Sequence, residues 1–184
     1  METQSIAAMK RFLFISFLIV ASILRLQAQD ANSGFKFDKS KLELGGTLGF
    51  SFGSSSATGE STGLNISPEI GYRFSKYFSA GAGLSYIYRS YSDYDFSENY
   101  AGLTFYGRFR PIKYIVLLAE PEFYRTWGKN FESRFVPTLL LGGGATMPIG
   151  HGGVSFTLSY DVLQNDYSPY YNRLVYTIGY TFSF

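Results

Sequence analysis

The sequence predicts an all-β fold: an eight-stranded antiparallel up-and-down transmembrane β-barrel, preceded by a cleavable signal peptide. Three observations predict it. Apolar residues recur at every second position through eight segments, and the connections between those segments alternate short and long. The register opposite the apolar one is small and polar, with too few charges for a surface facing water.

The composition narrows the field further. Of 184 residues, 46% are hydrophobic, 19% are aromatic and only 16% are charged. An average soluble domain carries roughly 25% charge. Disorder is excluded, because disordered chains are poor in aromatic side chains. The absence of cysteine excludes a disulfide scaffold, a thiolate metal site and a lipid anchor on an N-terminal cysteine. Nucleic acid is not expected as a partner, since no basic run follows the N-terminus.

The N-terminus reads as an export address. Met9-Lys10-Arg11 is basic, Phe12 to Leu24 is apolar apart from Ser16 and Ser22, and Leu26-Gln27-Ala28 ends on a small residue. The apolar run is shorter than the about 20 residues of a membrane-spanning helix. Residues 1–28 are therefore read as a signal peptide, with Met9 as an alternative start. Residues 29–40 are read as a short periplasmic segment and residues 41–184 as the barrel. Removal of the leader takes away Lys10, Arg11, Arg25 and Glu2 and leaves equal basic and acidic counts.

The eight segments are placed at 41–52, 64–74, 78–89, 100–110, 114–126, 134–147, 153–162 and 173–184. Each runs for roughly 10 to 14 residues, near the 9–11 of a tilted membrane-crossing strand. The last shows the pattern best: Leu174, Tyr176, Ile178, Tyr180, Phe182 and Phe184 share one face, and Val175, Thr177, Gly179, Thr181 and Ser183 the other. Ser75-Lys76-Tyr77, Pro111-Ile112-Lys113 and Pro148 to Gly152 are tight turns, expected on the periplasmic side. Residues 53–63, 90–99, 128–133 and 163–172 are expected as longer external loops.

The apolar register is expected to be free of charge. It is aliphatic and aromatic, relieved by Gly46, Gly107 and Gly143 and by Pro68, Pro121 and Pro137, where bulges are expected. An eight-stranded interior is just wide enough to be filled by side chains, so the large residues cannot all point inward. The apolar face is therefore outside, and its solvent is lipid. Tyr72, Phe74, Tyr77, Phe78, Phe109 and Tyr114 at the turn end, and Tyr86, Tyr88 and Tyr91 near the loop end, suit two interfacial girdles.

Inside, the opposite register carries Glu69, Glu120, Glu122 and Asp161 near mid-barrel and Arg73, Arg108 and Arg110 near the periplasmic mouth. An ion-pair network with Tyr106 and Tyr124 as hydrogen-bond partners is the expected arrangement, because an unpaired buried charge costs several kcal/mol. A narrow path for ions or small solutes is the alternative; open, general porin-like passage is disfavoured by the filled lumen. The chain is read as non-enzymatic, without metal or cofactor. His151, the one histidine, falls in a periplasmic turn, whereas the outer rim offers Ser90, Ser92, Asp93 and Asp161 without a histidine. A lipid-modifying enzyme is the least favoured alternative.

The end of the chain, Thr177-Ile178-Gly179-Tyr180-Thr181-Phe182-Ser183-Phe184, resembles the assembly signal of bacterial outer-membrane barrels at Thr177, Gly179, Phe182 and Phe184. That resemblance implies handling by the outer-membrane assembly machinery. The hairpin Ser67-Pro68-Glu69-Ile70-Gly71-Tyr72-Arg73-Phe74 followed by Phe78 to Tyr86 resembles the "outer membrane protein β-barrel domain" family, abundant in Bacteroidetes-type bacteria and related in architecture to OmpA and OmpX. It implies residence in the outer membrane of a Gram-negative bacterium, among its lipids and lipopolysaccharide, without a cell-wall-binding domain of the OmpA kind. It implies no particular activity. The loops then become the candidate binding surface for an extracellular protein or glycan, through Tyr91, Tyr94 and Phe96 in one and Tyr167, Tyr170 and Tyr171 in another.

Overall fold

The computed structural model describes residues 37–55, 59–91, 96–128 and 131–184. The segments read as signal peptide and periplasmic N-terminal stretch lie almost wholly outside them. The chain divides into two units at Asp38/Lys39, and of the first only Phe37 and Asp38 are described.

The second unit is a short 3-10 turn, Lys39–Lys41, followed by eight strands: β1 (Leu42–Ser55), β2 (Gly59–Arg73), β3 (Phe78–Tyr91), β4 (Phe96–Ile112), β5 (Ile115–Gly128), β6 (Phe131–Ile149), β7 (Gly152–Asp161) and β8 (Leu174–Ser183). All neighbours are antiparallel, and β8 closes on β1 between Glu43↔Ser183 and Ser51↔Val175. One row of partners runs Leu42, Tyr72, Ala80, Gly107, Ala119, Leu141, Tyr160, Leu174. It returns to β1 at Phe52, one step beyond the Ser51↔Val175 pair, a stagger of ten residues. With strands about 4.8 Å apart and a rise of about 3.3 Å per residue, that stagger tilts them by about 40°.

The two registers separate as their chemistry demands. Leu84, Phe135 and Phe156 on the outer wall are 62%, 69% and 59% exposed, while Glu43, Ser67, Thr104, Glu122 and Thr138 on the inner wall are buried. Girdle aromatics meet at both rims: Tyr72 and Phe74 at 5.2 Å at the turn end, Tyr86 and Trp127 at 6.4 Å toward the loop end. Lys76 and Lys113 lie over the rings of Tyr77 and Tyr114 in the turns, as cations do at headgroup level. Arg125 breaks the expected charge-free exterior. It lies outside near the loop-side end of β5, where its Nε donates to Ser133 Oγ at 2.8 Å.

Two further expectations change. The external loops at 53–63, 90–99 and 128–133 are mostly strand, because pairing continues to Ser55↔Gly59, Tyr91↔Phe96 and Gly128↔Phe131. Polar side chains no longer mark a strand's end once the hairpin has left the lipid; only the backbone ladder does. The prolines carry no bulges. The β2–β3 ladder lacks pairs at Ser67 and Pro68, yet Ile66↔Tyr86 and Glu69↔Gly83 keep one register, and the β4–β5 ladder is interrupted in the same way at Glu120 and Pro121. Pro137 points to the same side as Leu139, whose carbonyl accepts from Val162 N, so it faces the space above the end of β7. The shifts of register lie instead at the strand ends, between Phe109 and Ile112 and between Thr126 and Gly128.

Glycine has a direct structural reason at Gly71 and Gly81. They face each other across β2 and β3, and the Tyr106 ring lies over both; a Cβ on Gly81 would run into Ile70 O, Tyr106 Oη and Gly71 Cα. Gly107 is different: a methyl group added there would meet the Phe78 ring at 3.7 Å and nothing nearer. Gly81→Val is therefore expected to lower stability by about 1–3 kcal/mol through overpacking, read as a lower urea midpoint and partial loss of the heat-modifiable gel shift. Gly107→Ala should retain both. Equal behaviour of the two variants would refute the packing account.

Candidate functional site

The interior divides into a packed loop-side half and an open turn-side half. The packed half is held by an apolar cluster: Ile87, Tyr100, Tyr124, Val136, Leu140, Tyr170 and Val175, all buried. Six of these belong to the inward registers of their strands. The seventh, Tyr170, comes from the connection between β7 and β8, residues 162–173, which folds over the mouth of the barrel. This corrects the placement of Tyr170 on a loop binding surface. It is 1% exposed, accepts from Asn65 Nδ2 at 2.9 Å and lies 3.3 Å from Tyr124 Oη.

The connection is pinned at several points. Ser168 Oγ donates to Asp161 Oδ2 at 2.6 Å, Leu163 N and Leu139 N donate to Asp161 Oδ1, and Asn172 N donates to Gln164 Oε1. Gln164 also donates to Asp161 O. Gln164 and Asn172 adopt left-handed backbone, φ 48° and 51°, which reverses the chain at each end of the cap. Tyr167 and Tyr171 remain outside at 52% and 46% exposure, and the Arg134 guanidinium lies 4.3 Å over the Tyr167 ring. Tyr94 and the side chains of Tyr91 and Phe96 lie outside the described residues.

Beneath the cap, the carboxylates are satisfied by different means at different heights. Glu122 accepts from Tyr124 Oη (2.7 Å) and Thr138 Oγ1 (2.8 Å), and Asp161 accepts from the Ser168 hydroxyl and Leu163 amide of its own connection and from the Leu139 amide of β6. Ser85 and Ser67 extend the network by donating to Asn65 Oδ1. Toward the turn end the partners are cations: Arg108 donates to Glu69 Oε2 at 2.6 Å and Arg73 to Glu43 Oε1 at 2.9 Å. Glu43, at the turn end of β1, is thus the partner of Arg73. Tyr106 is not a hydrogen-bond partner of these acids but lies flat against Arg108, 4.0 Å from its guanidinium. Among the described residues the expected network of ion pairs resolves into Arg73–Glu43 and Arg108–Glu69, while hydroxyl and amide donors of the packed half satisfy Glu122 and Asp161.

The turn-side half encloses a cavity of about 870 Å³. Its lining includes Lys41, Arg73, Lys76, Arg108, Arg110 and Lys113, against the carboxylates of Glu43 and Glu120. His151 stands at this mouth, in the turn before β7, at the opposite end of the barrel from the Asp161–Ser168 pair. Of the residues matched to the assembly signal, Thr177 and Gly179 face inward, while Phe182 and Phe184 project outward edge to face at 5.4 Å. Among the described residues no three histidine or acidic side chains come together as a metal site.

No family model and no curated protein matches the sequence. Solved structures do resemble the fold. Neisserial surface protein A (NspA) aligns with 79% of this chain and 98% of its own at 16% identity and a TM-score of 0.51. Ail, the attachment invasion locus protein of Yersinia pestis, aligns with 78% of this chain and 96% of its own at 17% identity and a TM-score of 0.46. A de novo designed transmembrane β-barrel covers 82% of this chain and all of its own at 11% identity and 0.43.

Two outcomes follow from the two halves. Tyr170→Ala should cost about 3 kcal/mol of stability and open the 162–173 connection to chymotrypsin at Tyr167 and Tyr171; unchanged cleavage would sink the cap. Arg108→Leu, which strands Glu69, should cost about 3–5 kcal/mol, and the double variant Glu69→Leu/Arg108→Leu should recover much of it. Urea unfolding in detergent micelles reads both, and a double variant no better than the single would remove the ion-pair account. What the chain has in common with the solved structures is architecture: it has the fold of the small outer-membrane β-barrels.

Proposed function

We propose that this chain is an integral outer-membrane barrel whose role is carried by its loop-side surface, through recognition of an extracellular protein or glycan, rather than by catalysis or bulk passage of solutes. The observation that carries the proposal is the seated cap. Tyr170 and the cluster around Tyr124 pack the lumen below the mouth, which favours a surface role over passage of solutes. What then faces outward among the described residues is Tyr167 with Arg134 against it, and Tyr171. Aromatic rings with a cation alongside bind protein and sugar surfaces at small conformational cost. Membership of the outer membrane protein β-barrel domain family belongs to the same reading and rests on the second hairpin and the terminal aromatic motif.

A narrow ion path is the second reading, favoured by the inward carboxylates Glu69, Glu120 and Glu122, and it requires the cap to leave. Catalysis on lipid is the least supported, with His151 at the turn end, away from the Asp161–Ser168 pair.

Purified protein in planar bilayers should show no stable conductance steps at moderate voltage. Cells displaying the barrel should bind at least one member of a panel of matrix proteins and glycans, and Tyr167→Ser/Tyr171→Ser should cut that binding several-fold at equal surface amounts. Steady conductance by the parent would favour the ion path, and undiminished binding by the double variant would overturn the loop-surface role.

A further inference from the structure

We infer that the turn-side half of the lumen is a binding site for a small soluble polyanion, bearing phosphate or clustered carboxylate groups, that enters from the periplasmic side. This site is separate from the loop-side surface and does not depend on the role proposed for it.

Strand register brings the basic groups together. Arg73 of β2 faces Ser79 of β3, and Ser79 faces Arg108 of β4, so the two arginines flank one small residue on a single row of the inner wall. Arg110 lies on the same face as Arg108, one step nearer the mouth, and its Nη1 donates to Ser79 Oγ at 3.0 Å. The three arginines therefore start from neighbouring positions around the buried Ser79 and line one cavity, with Arg73 reaching Glu43, Arg108 reaching Glu69 and Arg110 held at Ser79.

Their charges are unequally matched. Arg73 is paired with Glu43 and Arg108 with Glu69. Arg110 has a neutral hydroxyl as its partner and forms no ion pair among the described residues. Arg73, though paired, keeps 41% of its side chain exposed. Lys41 adds another positive charge at the same rim. The two acids lining the cavity are Glu43, already engaged, and Glu120, deeper in. An anion would thus be held at the level of the arginines and repelled from the floor.

The container fits such a guest. About 870 Å³ lies within the usual 300–1,000 Å³ of small-molecule sites. The cavity lies on the turn side of the packed half, and its low-dielectric walls concentrate the field of the basic groups. Guanidinium groups match phosphate and carboxylate oxygens in pairs, with two parallel N–H donors each. The arginines are on the inner wall, so phospholipid headgroups at the outer rim meet Lys76 and Lys113 over their tyrosines instead.

Inorganic pyrophosphate is the probe. Titrated calorimetrically at low salt into the full-length barrel in nonionic detergent micelles, it should bind saturably at one per barrel. Arg110→Gln should weaken binding at least tenfold, Lys41→Gln and Lys113→Gln should weaken it less, and Arg125→Gln, on the outer wall at the loop end, should leave it unchanged. Each variant is first checked for the parent's heat-modifiable gel shift. If Arg110→Gln fails that check, Arg110→Lys and Lys41→Gln carry the comparison, with weakening expected in both. Absence of saturable binding by the parent would overturn the site. So would full affinity in the variants at 110 and 41, or an equal loss in Arg125→Gln, which would place the anion on the outer wall.

Discussion

Backbone hydrogen bonding in a medium without water governs every other feature of this barrel. Each unpaired N–H or C=O in hydrocarbon costs several kcal/mol, so a sheet can stand there only if it has no edge. The β8–β1 ladder, from Glu43↔Ser183 to Ser51↔Val175, removes the edge. Once it is closed, the period of two sends every second side chain to lipid and every other one to an enclosed space. The outward aliphatic and aromatic residues and the inward glycines, hydroxyls and charges are both consequences of that single closure.

The stagger of ten residues then decides how the enclosed space is used. It leaves more room than the strands' own small side chains fill, and the two ends of the barrel resolve this differently. At the loop end, aliphatic residues and the tyrosines at 100, 124 and 170 pack the lumen, and the buried acids take hydroxyl and amide donors. At the turn end the wall is basic and the volume stays open. Between them, Tyr106 over Gly71 and Gly81, with Arg108 against its ring and Glu69 beyond, joins the packed and open halves. Among the described residues, the interior is thus packed at the loop end and open at the turn end.

Much of the architecture is legible along the chain because a strand's side-chain period is rigid. Leu174 to Phe184 can be assigned to two faces by counting alone, and the same count places Arg73, Arg108, Arg110 and the acids inward. Where residues exert their effect through partners far along the chain, counting is insufficient. Pro68 and Pro121 look like bulge sites, yet the ladder is interrupted there without a change of register. Tyr170 has the same local composition as Tyr167 and Tyr171; only Asn65, 105 residues away, distinguishes it. Glu43 gives no sign of being Arg73's partner, since that contact depends on how β1 is staggered against β2.

The order of residues was enough to fix the strand faces and the closed architecture they require, but not the height of every charge: Asp161, expected near mid-barrel, stands at the loop-side end of β7. Alternation and turn spacing are local, and lipid and lumen demand opposite chemistries at neighbouring positions. The shear, the pairing of acids with arginines or hydroxyls, and the descent of the 162–173 connection into the mouth emerged only from the assembled barrel. Each of those depends on the relative displacement of strands, a sum of registers around the whole circumference, and no single segment contains it.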